Sequence, residues 1–259
     1  NKSVIKVDTE LFQSNTDTAV VAWTSVTLLT DAVGYYQFDE ASGSVLSDSL
    51  GSKNGTYENS PTLGVTGFVD SAVRFNNGAT NQSALVATSL DFSIQQGGSD
   101  TSFSVGLWVN PSSTSGYLVG KSSDTSGEYE WDITLNSGVP RVTIYSDGLS
   151  TSKILRNFDT SLILNQWVYL CFTYDGSGTI NGLNAYNAYL LDNSASSGVV
   201  GTYNGVAYTN SPLRIARDEN GSEVFNGIID ELCIWKNRVL TASEIEQIYN
   251  INFSGSGIS

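Results

Sequence analysis

Three acidic residues, Glu128, Glu130 and Asp132, alternate with Tyr129, Trp131 and Ile133. Successive side chains of an extended strand point to opposite faces. The spacing therefore predicts a row of carboxylates on one face and an apolar row on the other. Hydrolysis of a glycosidic bond needs two such carboxylates, about 5–5.5 Å apart when configuration is retained. The order Glu-x-Glu-x-Asp, followed by Thr134 and Asn136, equally suits a solvated strand face or a cation site. A second group is aromatic and amide-rich. Tyr186, Asn187, Tyr203, Asn204, Tyr208 and Asn210 sit among Gly- and Ser-rich turns. Sugars are held by rings stacked on their C–H faces and by amides that satisfy their hydroxyls. Tyr186, Asn187, Tyr203, Asn204 and Tyr208 are accordingly candidate ligand-binding residues, and the same residue types also populate ordinary loops.

The composition removes several chemistries. The 259 residues include no histidine, which excludes a Ser-His-Asp triad, a Cys-His pair, a His-ligated zinc site and a histidine pH switch. Acidic residues outnumber basic ones 26 to 12, for a formal net charge of −14. Electrostatic attachment to nucleic acid or anionic lipid is therefore not expected; a hard cation such as calcium suits this balance better. No Gly-x-x-x-x-Gly-Lys-Ser/Thr phosphate cradle is present. The two cysteines, Cys171 and Cys233, each sit in an apolar run and are expected to be free and buried. The run 19–29 is too short and too interrupted to span a bilayer. Asn-x-Ser/Thr sequons occur at Asn54, Asn81 and Asn252 and bear only on a eukaryotic secretory context. The chain contains no methionine, and is expected to be a processed product or a piece of a larger chain.

Short alternating runs separated by Gly, Asn, Asp and Ser clusters must position these residues. They fall at 72–75, 102–109, 129–135, 141–145, 166–174, 188–191 and 228–235. Many short strands at this spacing predict an antiparallel sandwich or jelly roll. Trp108 and Trp167 lie in strand runs and are expected to anchor the core between the sheets. One helix is expected. Thr241 and Glu244 have the spacing of a capping box, Ile245, Ile248 and Tyr249 form one apolar face, and Asn250 is the expected terminator. The organisation expected is an N-terminal extension or connector over 1–32, a domain over 33–251 and a flexible tail over 252–259.

From Val33 to Asn250 the order of signals resembles the laminin-G-like jelly roll of the concanavalin A-like lectin/glucanase superfamily. The stretches that carry the likeness are 34–40 (GYYQFDE), 48–56 (DSLGSKNGT), 71–76 (SAVRFN), 103–111 (FSVGLWVNP), 166–176 (QWVYLCFTYDG), 225–235 (FNGIIDELCIW) and 240–245 (LTASEI). The resemblance implies an all-β, antiparallel two-sheet jelly-roll sandwich with one short C-terminal helix. It also implies a structural calcium near the first and last strands, with Asp39, Asp48, Asn54 and Asp230 as metal-ligand candidates. The loop departs from the family pattern at Leu50 and at Ser52-Lys53. Retaining glycosidases of this superfamily carry their acids on one strand, but as Glu-x-Asp-x-Glu or Glu-x-Asp-x-x-Glu. The expected function is thus a non-catalytic recognition or adhesion module, with no catalytic residues. It would bind a glycan or a surface protein outside the cell, on a cell or virion surface, within a larger adhesin or phage fibre. The alternatives are a structural decoration or spacer domain and a glycoside hydrolase.

Overall fold

The computed structural model describes residues 28–75, 81–123, 128–146, 151–194 and 196–258. The expected connector run 4–7 lies outside these residues, as does all but the last two residues of the run 19–29. In chain order the strands are β1 (Ala32–Tyr36), β2 (Val45–Leu46), β3 (Gly55–Glu58), β4 (Thr62–Thr66), β5 (Ser71–Phe75), β6 (Ser83–Val86), β7 (Gln95–Gln96), β8 (Ser99–Asp100), β9 (Phe103–Pro111) and β10 (Gly116–Ser123). Then come β11 (Glu128–Asn136), β12 (Val139–Tyr145), β13 (Lys153–Asn157), β14 (Val168–Tyr174), β15 (Leu183–Asn187), β16 (Leu190–Leu191), β17 (Gly198–Val200), β18 (Leu213–Ile215) and β19 (Gly227–Lys236). The helix α1 (Ala242–Phe253) follows.

Two antiparallel sheets face each other, as the alternating runs predict. The first has the order β16-β15-β14-β9-β19-β5-β4, with β1 also paired to β19. The second has the order β17-β13-β12-β11-β10-β18-β6-β3-β2. First and last strands are neighbours: Tyr35 pairs with Cys233 and Tyr36 with Leu232. The core between the sheets takes Val105, Leu107 and Val109 of β9, Leu170 and Phe172 of β14, and Leu232 and Ile234 of β19. The second sheet supplies Trp131, Ile133, Val142, Ile144 and Ile154.

A second apolar layer lies on the other face of the first sheet. Trp108, Tyr169, Cys171, Cys233 and Trp235 point there and are covered by Leu240, Ile245 and Ile248. This corrects the expectation for the indoles. Trp108 is buried, but beneath α1 rather than between the sheets, and Trp167 is half-buried at the margin of the same layer. Trp131 is the indole of the inter-sheet core, its Nε1 donating to the Phe92 carbonyl at 2.8 Å. The cysteines are free and buried. Both are in register with Gly106 from opposite sides. Two strand spacings, about 9.5 Å, exceed the Cα separation a disulfide can close. The phenol of Tyr169 crosses Gly106, where a Cβ would lie 2.1 Å from its hydroxyl.

The helix begins as its sequence predicts. Glu244 N donates to Thr241 Oγ1 at 3.3 Å and Thr241 N donates to Glu244 Oε2 at 2.8 Å, closing the capping box. It does not stop at Asn250. Asn252 is a buried helical residue whose Oδ1 accepts from Trp108 Nε1 at 3.1 Å, and this bond carries the helix on to Phe253. The segment expected to be a flexible tail is also anchored: Ile258 is buried, and its N–H donates to the Tyr35 hydroxyl at 2.8 Å.

Candidate functional site

The carboxylate row does not survive folding as one row. On β11 the register with β10 shifts between Lys121 and Ser122, so that Lys121 faces Trp131 and Ser122 faces Tyr129. Glu130 falls in the gap. A bulged residue re-aims its side chain, and Glu130 is fully buried. Lys121 Nζ donates to its Oε2 at 2.7 Å, and Ile94 N donates to its Oε1 at 2.8 Å. Glu128 lies beside Ser211, whose Oγ is 3.3 Å from Glu128 Oε2. Asp132 alone of the three reaches a groove. The expected alignment of Glu128, Glu130 and Asp132 is corrected by this bulge.

The groove lies on the face of the second sheet turned away from the core. The register β11–β12–β13 places Asp132 beside Thr143, Thr134 beside Arg141, and Tyr145 beside Lys153. Two adjoining cavities, of about 520 and 440 Å³, share Asp132, Tyr145, Lys153, Ser222 and Glu223. Loop 218–224 forms a wall and is folded by its own polar residues: Ser222 N donates to Asn220 Oδ1 at 2.7 Å, and Asp218 N to the Glu223 carbonyl at 3.1 Å. The rings of Tyr129 and Tyr145 lie 5.1 Å apart at 41°. Lys153 Nζ sits 5.4 Å from the Tyr145 ring centroid. Asp132 is only 5 % exposed. Its Oδ2 accepts from the Tyr145 hydroxyl at 2.8 Å, while its Oδ1 is buried without a hydrogen-bond partner. Burial pushes its pKa up to about 7; hydrogen bonds from Tyr145 and Thr143 and the Lys153 charge oppose this, and Glu223 adds to it. Sequence reasoning missed Tyr145, Lys153 and Glu223. The alternation Arg141, Thr143, Tyr145 was the available signal, since it marks the outward polar face of a strand.

The aromatic and amide candidates do not form one cluster. Tyr186 and Asn187 are on β15, with Tyr186 against the layer beneath α1. Tyr203 donates to Asp100 Oδ2 at 2.8 Å and packs on the inter-sheet core. Asn204 is exposed, and its N–H donates to Ser146 Oγ at 2.8 Å. Tyr208 is exposed, with Lys121 Nζ 5.5 Å from its ring.

The candidate calcium ligands divide into two places. Asp48 is buried, and both its carboxylate oxygens accept backbone N–H groups: Tyr35 and Leu50 on Oδ1, Ser52 and Lys53 on Oδ2. Asn54 Oδ1 accepts from Asp48 N at 2.9 Å. This pair organises its own turn. Asp39 Oδ1 accepts from Ser71 N at 3.0 Å. Asp230 is fully buried where the pairing of β19 with β9 shifts register; its Oδ2 accepts from Phe68 N and Val69 N, and its Oδ1 has no partner. Burial pushes Asp230 up to about 8, with Glu231 and Asp39 adding to the rise. A Cβ at Gly67 would lie 2.4 Å from the Val69 carbonyl oxygen, 2.5 Å from that of Ser71 and 2.7 Å from Asp230 Oδ2. Oxygens thus converge around Gly67. The Asp230 oxygen beside these carbonyls is Oδ2, which already accepts two N–H groups; the demand of calcium for uncommitted oxygens fits the orphaned Oδ1. It does not fit Asp48 and Asn54. Among the described residues no three His, Cys, Asp or Glu side chains come together as a metal-holding group, so carbonyls would have to complete the site.

No helix among the described residues is long and apolar enough to cross a membrane. No curated protein matches the chain. Among solved structures, the binding domain of Paraclostridial Mosquitocidal Protein 1 is similar, with 17 % identity and a TM-score of 0.66 over 88 % of this chain and 56 % of that one. The binding domain of botulinum neurotoxin serotype C1 is similar at 15 % identity and a TM-score of 0.63, over 87 % of this chain and 53 % of that one. A further neurotoxin type C structure, described as depending on two ganglioside molecules for cell entry, matches at 15 % identity and a TM-score of 0.63, over 86 % and 51 %. The chain thus spans about half the length of these structures, and at such identities the likeness is one of fold. The family model for Laminin_G_3 matches residues 77–246. The chain belongs to this family of the concanavalin A-like lectin/glucanases superfamily.

Proposed function

We propose that this domain is a non-catalytic glycan-recognition module that binds a saccharide in the groove over β11, β12 and β13, as the recognition part of a larger secreted or surface protein. The observation that carries the reading is the pairing, in one groove, of the Tyr129–Tyr145 ring corner with the orphaned, buried oxygen of Asp132. Rings supply a face for sugar C–H groups and the carboxylate supplies an acceptor for a hydroxyl. The separation of Glu130 and Glu128 from Asp132 counts against the row of acids that would favour the hydrolase alternative. The toxin binding domains of the same fold support a recognition role. The test is titration with a panel of oligosaccharides. Binding is expected, and Tyr129→Ala is expected to weaken it about fivefold or more, since stacking on one ring contributes about 1–3 kcal/mol. A panel to which the domain is silent contradicts the reading.

We also propose a structural calcium held by Asp39, Asp230 and the carbonyls around Gly67. Such an ion supplies fixed positive charge beside carboxylates whose pKa burial raises.

A further inference from the structure

We propose that the groove selects a neutral over an acidic saccharide and that Asp132 sets this selectivity by accepting a hydrogen bond from a sugar hydroxyl. This rests on the groove being the glycan site. A buried acceptor without a donor is costly to leave so. Asp132 Oδ1 is such an acceptor, and Asp132 is a lining residue of both cavities. The groups around it decide what else can enter. From β12 come Tyr145 and Thr143, from β13 Lys153, and from loop 218–224 Glu223 and Asp218. From β10 comes Tyr117, itself influenced by Arg214 of β18, and Arg214 lies 3.8 Å from both Glu58 and Glu219. A uronic or sialic acid would bring another carboxylate against Asp132, Asp218 and Glu223, which outnumber Arg141 of β12 and Lys153, the cations that line the same groove. A neutral ring meets no such repulsion: Lys153 can donate to one hydroxyl while Asp132 accepts from the next.

Binding then carries a pH signature. Burial places Asp132 at about 7 in the free domain, and a donated hydroxyl favours its ionised form. Below that value a proton must leave before the hydroxyl can bond, so affinity falls as pH falls. The experiment is calorimetric titration of the domain with neutral cello-, xylo-, malto-, manno- and N-acetylchito-hexaoses, and with hexagalacturonate and sialyllactose as acidic probes. At least one neutral probe is expected to bind, about tenfold more weakly at about pH 5.5 than at about pH 8. The acidic probes are expected to bind more weakly than the neutral one. Asp132→Asn keeps an acceptor for Tyr145 and is expected to flatten the pH dependence. Glu223→Gln, on an exposed loop, is expected to narrow the gap between neutral and acidic probes whether or not the Asp132 variant folds. Equal or tighter binding of the acidic probes, or a neutral ligand held equally at both pH values, overturns this inference and leaves the groove reading intact. Silence from every probe overturns both.

Discussion

Asp132 and Asp230 are both carboxylates buried in strands, and each leaves one oxygen unpaired, yet their neighbours differ. Asp132 is bordered by Tyr145 and Lys153 on an open face. Asp230 is enclosed by backbone around Gly67, with the Asp39 and Glu231 charges adding to the cost of ionising it. A cation that binds only the folded state must raise the unfolding midpoint. Millimolar calcium is therefore expected to raise the midpoint over that in EGTA. Asp230→Asn, which retains an acceptor for Phe68 N and Val69 N, is expected to abolish the difference. Identical melting curves with and without calcium would remove the ion from the account. At this scale the sequence was an uneven guide. The acidity of Asp39 and Asp230 was readable. That Asp48 spends its oxygens on four backbone N–H groups was not, because those donors come from a turn whose shape the residue types do not specify. Buried Lys121 was equally hidden; its pairing with Glu130 offsets the cost of taking two charges out of water.

Elements whose signals are local were legible, and those that depend on a partner strand were not. The helix is the clear local case. Thr241 and Glu244 satisfy each other's backbone donors, and Arg238 Nη2 adds a 2.6 Å ion pair to Glu244. Replacing an N-cap threonine by alanine costs about 1 kcal/mol. Thr241→Ala is accordingly expected to lower stability in urea unfolding by about that amount, with the slope of the transition unchanged; no change would show that packing alone holds α1. The bulge on β11 is the opposite case. It arises where Lys121 and Ser122 of β10 meet Trp131 and Tyr129, so alternation within β11 cannot reveal it. Trp108 was misplaced for a related reason. Nearly every residue of β9 is buried, because α1 covers one face of the first sheet while the second sheet covers the other. A strand buried on both faces carries no inside–outside alternation.

Across the whole molecule the division of labour follows from these layers. The first sheet lies between the inter-sheet core and the aromatic layer under α1, where Trp108 stacks on Phe68 with centroids 3.4 Å apart. The second sheet leaves its outer face over β11–β13 uncovered and polar. The proposed role, recognition of a hydroxylated, uncharged saccharide, draws on the Tyr129, Tyr145, Lys153 and Asp132 groups of this face. The direct measurement is a crystal structure of the domain with a bound oligosaccharide from the panel. The account predicts the sugar between Tyr129, Tyr145 and loop 218–224, with a hydroxyl on Asp132 Oδ1. A saccharide seated instead on the opposite side, over Phe68, Tyr249 and Phe253, would contradict it.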